Sequence, residues 1–456
     1  MTKSKRNQRK RELTTRACHP DAAGIDIGAE ELMVAVPAER AEDPVRAFSS
    51  FTGDLHALRD WLLECRIRTV AIESTGNYWV AIYQILEDAG LEVFLVQARH
   101  VKAVPGRKSD VCDAAWLQQL HCAGLLRKSF RPSKEIVPLR YLMRHRRTLI
   151  ASGSSELQLM QKTLTEMNLH LHHVLSDLDG KSGQAIVEAI LAGQRDPHRL
   201  AELCDRRCKT PRAQVEAAME GDYREEYLFV LKQCYARWQA GRVALGELDA
   251  EITRSLHTIG GVTEEPLPPA PSSQRRARKN TPVAPLVEES FRIYGVDLGA
   301  APGVSAITMG VLISELGTGA QILEAFPSVA RFCSWLGLCP DNRISGGRVL
   351  KAKTRAVANR VADALRMAAQ SAGHSHCAIG DHARRMKARL GKAEGVTATA
   401  HKLARILYAM IAARTPYRAD EARRLPAKTK ANRVRNIKKQ AAALGFELTP
   451  LQEVPC

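Results

Sequence analysis

The stretch Ala22–Ala38, AAGIDIGAEELMVAVPA, decides the fold. It is a short run rich in Ile and Val, closed by Gly28 and a polar pair, followed by a second apolar run ended by Pro37. Such runs read as strands, and one acid, Asp26, interrupts the first of them. Working outward, LHALRDWLLECR (55–66) and WVAIYQILEDAG (79–90) carry apolar residues at helical spacing, while TVAIEST (69–75) and LEVFLVQA (91–98) return to the strand habit. Strands alternating with amphipathic helices predict an α/β sheet over residues 21–138, after a basic arm at 1–20.

The texture then changes. Residues 139–261 show long helical periodicity, as in LMRHRRTLIASGSSELQLMQKTLTEMNL and REEYLFVLKQCYARWQAGRVALGELDAEITRSL, and predict helical hairpins or a coiled-coil arm. Six prolines, at 266, 268, 269, 271, 282 and 285, mark residues 262–290 as a flexible linker. Residues 291–415 predict a mostly helical domain, and 416–456 a basic tail.

Across 456 residues, 67 Lys and Arg face 49 Asp and Glu, a formal +18 that points to a polyanionic partner, above all nucleic acid. The sequence shows no apolar run of membrane-spanning length and no signal-peptide core at its start, so a cytoplasmic protein is expected. The eleven cysteines are scattered without a CxxC pair, which argues against a zinc ribbon. Cys204, Cys208 and the nearby His198 come closest to ligand spacing but lack a second half. HLHH at 170–173 reads as solvated histidines of an amphipathic helix, with no ligand role.

The chemistry-bearing residues are carboxylates. A carboxylate in an apolar strand is costly unless a cation compensates it, which singles out Asp26 and, at the end of TVAIE, Glu73. GRKSDVCDAAWLQQLH (106–121) adds Asp110 and Asp113, three apart on one face of a helix. Taken singly, Asp110 is a good N-cap and Asp113 an acid favoured by the helix dipole. Taken together, four acids from two strands and one helix suit Mg²⁺, and two ions about 4 Å apart would clamp the attacking and leaving oxygens of a phosphodiester. Arg107 and Lys108, just ahead, suit a phosphate backbone.

In the last domain, CPDNRISGGRVLKAKTRAVANR sets Ser345 before two glycines and among Arg343, Arg348 and Lys351. From these residues alone the loop grips phosphate and the serine donates a hydrogen bond; a nucleophilic serine is the alternative. LGAAPGVSAITMGVLISELG (298–317), with Gly303 in its turn, suggests a helix-hairpin-helix contact to backbone phosphate, or else an ordinary helical turn. GIDIG also resembles a phosphate loop of the actin-like sugar kinases, with GVDLGAAPG (295–303) as the second loop, but the intervening helices and the positive charge argue against that reading.

Long blocks in order, AAGIDIGAEELMVAV, AIESTGNYWVAIYQILEDAG, ARHVKAVPGRKSDVCDAAWLQQLHCAGLLRKSFRP, MNLHLHHVLSDLDGKSGQAIVEAILAGQRDP and FPSVARFCSWLGLCPDNRISGGRVL, resemble the DEDD transposases of the insertion sequence 110 family from Ala22 to about Arg414. The resemblance implies a RuvC-like, ribonuclease-H-type N-terminal domain, a coiled-coil middle and a C-terminal transposase domain. It further implies a recombinase of a bacterial mobile element that cuts and rejoins donor and target DNA, directed by a bridge RNA and acting as a dimer that assembles into a tetramer. On matching positions, Asp26, Glu73, Asp110 and Asp113 would bind Mg²⁺ and Ser345 would form a 5′-phosphoserine link, in a site composed from two subunits. The chain departs from the pattern in its long proline-rich stretch and in RVLKAKTRAVANR, which replaces a glycine-rich run. The alternative is a Holliday-junction endonuclease whose acids cut by water attack alone.

Overall fold

The computed structural model describes residues 17–73, 76–97, 113–269, 280–351, 353–418 and 427–447. The chain forms two compact units, residues 1–131 and 132–456.

In the first unit, β1 (Ala22–Ile27), β2 (Glu31–Ala35) and β3 (Val45–Ser49) form an antiparallel meander, and β4 (Thr69–Glu73) and β5 (Glu92–Val96) add parallel strands on the other side of β1. The resulting order is β3-β2-β1-β4-β5. The two-residue period of a strand sends Ala23, Ile25 and Ile27 to one face, where they join Leu58 and Leu62 of α1 (Thr52–Glu64) and Ile82 and Leu86 of α2 (Trp79–Asp88). Ala22, Gly24 and Asp26 are left for the other face.

That second face is covered by α3 (Asp113–Cys122), whose Trp116, Leu117 and Leu120 cluster with Ala71 and Val96. Gly24 sets the approach. A Cβ there would collide with the Ala114 carbonyl oxygen and the Gln118 backbone nitrogen and lie 3.0 Å from Gln118 Cα. Gln118 Nε2 donates to the Ala22 carbonyl at 3.2 Å, and the buried His121 ring bonds Thr69 Oγ1 at 2.9 Å. With Ala114 over Gly24 and His121 beside Thr69, α3 runs antiparallel to β1, and its N-terminus lies at the carboxyl ends of the parallel strands.

The second unit is built on two long antiparallel helices, α4 (Val137–Glu166) and α9 (Glu225–His257). Arg237 of α9 forks onto Glu156 of α4 with two bonds of 2.9 Å. Toward the other end, buried Arg146 holds Asp249 at 2.6 and 3.3 Å. Short helices α5 (Leu171–Val174), α6 (Lys181–Leu191), α7 (Pro197–Glu202) and α8 (Arg212–Ala217) close one end around Met160, Leu164, Ile186, Met219 and Trp238.

Three residues of the proline-rich stretch expected as a flexible linker bond to the helices around it. Val262 N donates to the Arg292 carbonyl at 2.8 Å, the Asn280 carbonyl accepts from Arg146 at 2.9 Å and Val283 N donates to Asp249 at 3.0 Å. A buried ion pair needs its remaining donors and acceptors satisfied, and residues 280–283 supply them. The C-terminal helices accordingly start at Leu286 rather than 291, with α10 (Leu286–Tyr294), α11 (Ala306–Leu316), α12 (Gly319–Ala325) and α13 (Val329–Trp335). Glu315 of α11 receives both Arg140 (3.0 Å) and Arg144 (2.8 Å) of α4. A hairpin, β6 (Arg343–Ser345) and β7 (Arg348–Lys351), precedes α14 (Arg360–Ala372), α15 (Ala378–Leu390), α16 (Lys392–Ala413) and α17 (Ala427–Ala443). No single described helix is long and apolar enough to cross a membrane.

Two outcomes are expected. Gly24→Ala should destabilise the first unit by about 1–3 kcal/mol in chemical denaturation, because α3 must lift from β1. His121 is pushed down to about 4 by burial, then by His19 and Lys128, so it folds neutral. The unfolded chain therefore binds the extra proton, and the stabilisation present above pH 6.5 is lost as pH falls toward 4. Melting midpoints should drop over that window, and less steeply in His121→Gln.

Candidate active site

The β1/β4 register ends at Ile25 opposite Ile72, so the next residues, Asp26 and Glu73, stand side by side on adjacent parallel strands. Neighbouring strands lie about 4.8 Å apart, and residues in register share a face. That face is the one covered by α3, because Asp26 alternates with Gly24 and Glu73 with Ala71. Asp113 opens α3 one residue before Ala114, whose carbonyl rests on Gly24. Three carboxylates from three elements are thereby brought to one edge of the sheet, Asp26 and Glu73 half-buried and Asp113 exposed. Asp110, Arg107 and Lys108 lie outside the described residues.

The donors at this edge are hard carboxylate oxygens, partly open to solvent, which suits an oxygen-loving divalent cation that keeps some of its water. A metal ion held there would offset the charge of the carboxylates while leaving coordination positions for phosphate.

Ser345 ends β6 and pairs with Arg348 across a two-residue turn. Gly346 (φ +55°) and Gly347 (φ +76°) both occupy the left-handed region, the requirement of a type I′ hairpin, which explains the paired glycines without a ligand. Ser345, both glycines and Arg348 are exposed, and so are Ile344 and Leu350. The hairpin base is fixed by Asp341 N donating to the Lys353 carbonyl at 2.9 Å and by Arg355 reaching Ser334 Oγ at 3.1 Å. The backbones of Arg343 and Lys351 pair across the ribbon.

The stretch at 298–317 is a single 3-10 turn, Leu298–Ala300, followed by α11. Gly303 (φ +88°) is required by packing, since a Cβ there would strike the Ala368 carbonyl and lie 3.0 Å from Ala372 Cβ of α14. Its glycine answers to α14, whatever its amide meets.

A feature the linear sequence does not announce is a cleft of about 1630 Å³ between residues 353–357, α15 and α16. Six Lys and Arg side chains line it against one carboxylate, Glu394. Burial pushes Lys402 down, with Arg385 and Arg405 adding repulsion, and His382 is pushed down to about 4 by burial and then by Lys402 and Arg385. The cleft is short of negative charge. In sequence these cations are spread over the 353–357 stretch and three helices, and only the packing of these elements collects them.

Residues 23–169 match the family model of the DEDD transposases of the IS110 type, and residues 298–384 match that of the transposase IS116/IS110/IS902 family. The chain belongs to the IS110 family of transposases. No curated protein matches it significantly. The first matched segment of this transposase contains Asp26, Glu73, Asp110 and Asp113, the second contains Ser345, and the mixed sheet with its helices is compatible with a ribonuclease-H-like DEDD domain. As a family of transposases, it acts on DNA by cutting and rejoining.

The charge imbalance of the cleft gives a direct expectation. Lys402→Met should raise the thermal midpoint of this transposase at low salt, where repulsion among the cleft cations is least screened, and the gain should shrink in 1 M salt.

Proposed function

We propose that this transposase joins DNA through a serine nucleophile, Ser345, assisted by a divalent cation, Mg²⁺, held by Asp26, Glu73, Asp110 and Asp113. The observation that carries the carboxylate half of the reading is the β1/β4 register, with Asp26 beside Glu73 under the N-terminus of α3. Bound there, the cation would neutralise charge on the scissile phosphate and lower the cost of expelling an alkoxide. The close packing of α3 on β1 at Gly24 supports Asp113 as a third member of the set, and the apolar face beneath supports both strands.

The serine half rests on the family resemblance and on the exposure of the hairpin tip. The Ser345 hydroxyl attacks phosphorus, a P–O bond to the serine forms, the bond to the 3′ oxygen breaks, and the DNA leaves with a 3′-hydroxyl and a 5′-phosphoserine link. Arg348, exposed one turn away, is suited to the phosphate, with Arg343 and Lys351 flanking. Attack by the released hydroxyl on the phosphoserine reverses the bonds and frees the serine. The cation-rich cleft supports binding of a nucleic-acid backbone.

Guidance by a bridge RNA is part of the same reading, because a protein whose specificity is delegated to base pairing needs only shape and backbone contacts, for which a formal charge of +18 is apt. Assembly of dimers into a tetramer would let acids of one subunit face the serine of another, with the α4/α9 pair as the arm between them. The test uses the full chain with its element DNA and flanking transcript. Ser345→Ala should abolish the denaturant-resistant protein–DNA adduct and strand exchange, and Glu73→Gln should lower both by about 100-fold or more. Undiminished cutting by the Ser345→Ala protein would replace this mechanism with water attack by a junction endonuclease.

A further inference from the structure

Where α4 ends, the chain turns at Asn168, whose φ is +59°, and enters the four-residue helix α5. Leu171 and Val174 bury their side chains in the helical cluster, and that leaves His172 and His173 exposed beside half-buried His170. The three imidazoles converge. His170 stacks on His173 with ring centres 5.0 Å apart, His172 lies 4.2 Å from His173, and each ring offers a nitrogen within 4.8 Å of the other two. The local backbone holds them there: His170 N donates to the Ala218 carbonyl at 3.0 Å and His173 N to the His170 carbonyl at 2.9 Å.

One nitrogen is conspicuous on energetic grounds. His170 Nδ1 is buried and has no hydrogen-bond partner. A buried polar atom without a partner is costly and calls for an explanation such as an ion. The other ring nitrogen, Nε2, lies 3.0 Å from Asn168 Oδ1, an acceptor, so Nε2 carries the proton and Nδ1 presents a lone pair. This is the arrangement by which an outer hydrogen bond fixes the tautomer of a metal-binding histidine.

We propose that His170, His172 and His173 bind a transition-metal ion of the Zn²⁺ class, with Asn168 as the positioning residue. The proposal goes beyond the reading of HLHH as solvated histidines. Imidazole nitrogens favour Zn²⁺ over Mg²⁺, so the ion is chemically distinct from one held by carboxylates. Zn–N bonds of about 2.0–2.1 Å put ligand nitrogens roughly 3.3 Å apart in a tetrahedron, a contraction that the exposed rings of His172 and His173 can supply by rotation. Cys208, whose thiol donates to the Val174 carbonyl at 3.6 Å, is occupied elsewhere. The cluster lies beyond both family-matched segments, at 170–173, and clasps the exit of the long helix to the small helices that follow.

The experiment uses untagged full-length protein carrying Asp26→Asn and Glu73→Gln, so that the carboxylate centre is silenced, stripped with chelator and titrated with Co²⁺ and then Zn²⁺. One equivalent of Co²⁺ should develop the visible absorption of a nitrogen-ligated site and be displaced by Zn²⁺. Adding His172→Ala and His173→Ala should abolish that signal with the metal-free melting midpoint unchanged. Asn168→Gly, which keeps the backbone conformation and removes the acceptor, should weaken binding by about 10–100-fold. The proposal is overturned if the parent shows no such equivalent, or if the double histidine variant retains it.

Discussion

Everything in the first unit hangs on the absence of one carbon atom. With no Cβ at Gly24, α3 descends until its Ala114 and Gln118 backbone touches β1, and the hydrogen bonds of Gln118 and His121 to β1 and β4 follow from that closeness. A helix on a sheet ordinarily rides on side chains about 10 Å above it. The shorter approach matters because α3 begins with an acid and the strands beneath it end with two. Distance between the layers is therefore distance between carboxylates, and a packing constraint doubles as a chemical one.

The second unit solves a different problem, how to keep a long helix pair and a helical domain in register. It uses forked arginines. Arg146 engages Asp249 and the Asn280 carbonyl, Arg140 and Arg144 share Glu315, and Arg292 reaches the carbonyls of Leu256, in the last turn of α9, and of Ile259 just beyond it. Each guanidinium serves several acceptors in fixed directions, so the joints specify orientation more than they add stability. In a protein with a large cationic surplus, these arginines are committed internally.

How much of this could be read from the chain depends on range. Strands β1, β2, β4 and β5 and helices α1 to α3 were legible, because a period of two or 3.6 residues is a local signal, whereas β3, exposed along most of its length, was not read. Asp26 and Glu73 stood out for an equally local reason, an acid in an apolar run, and the sheet order then made them neighbours. Gly24 looked like any strand glycine, since its meaning lies in a helix some ninety residues on. The packing of residues 280–290 was hidden by their prolines, because the groups that hold them, Arg146 and Asp249, are distant in sequence. The contacts among the histidines at 170–173 were out of reach for a related reason: helical periodicity sorts residues into faces, whereas α5 is a single turn whose rings lean on one another. The cleft cations were visible as residues but not as a group.

The hairpin at residues 343–351 has one more consequence. A ribbon of two strands with Ile344 and Leu350 both in water has no core behind it, and such ribbons hold their shape weakly by themselves. Both apolar side chains stay in water, so the ribbon relies on its backbone pairing and on the contacts at its base. Under the proposed serine mechanism, a nucleophile mounted on so thinly supported a ribbon would gain a fixed position only on meeting DNA or another subunit, and reactivity would then be tied to assembly without any separate inhibitor.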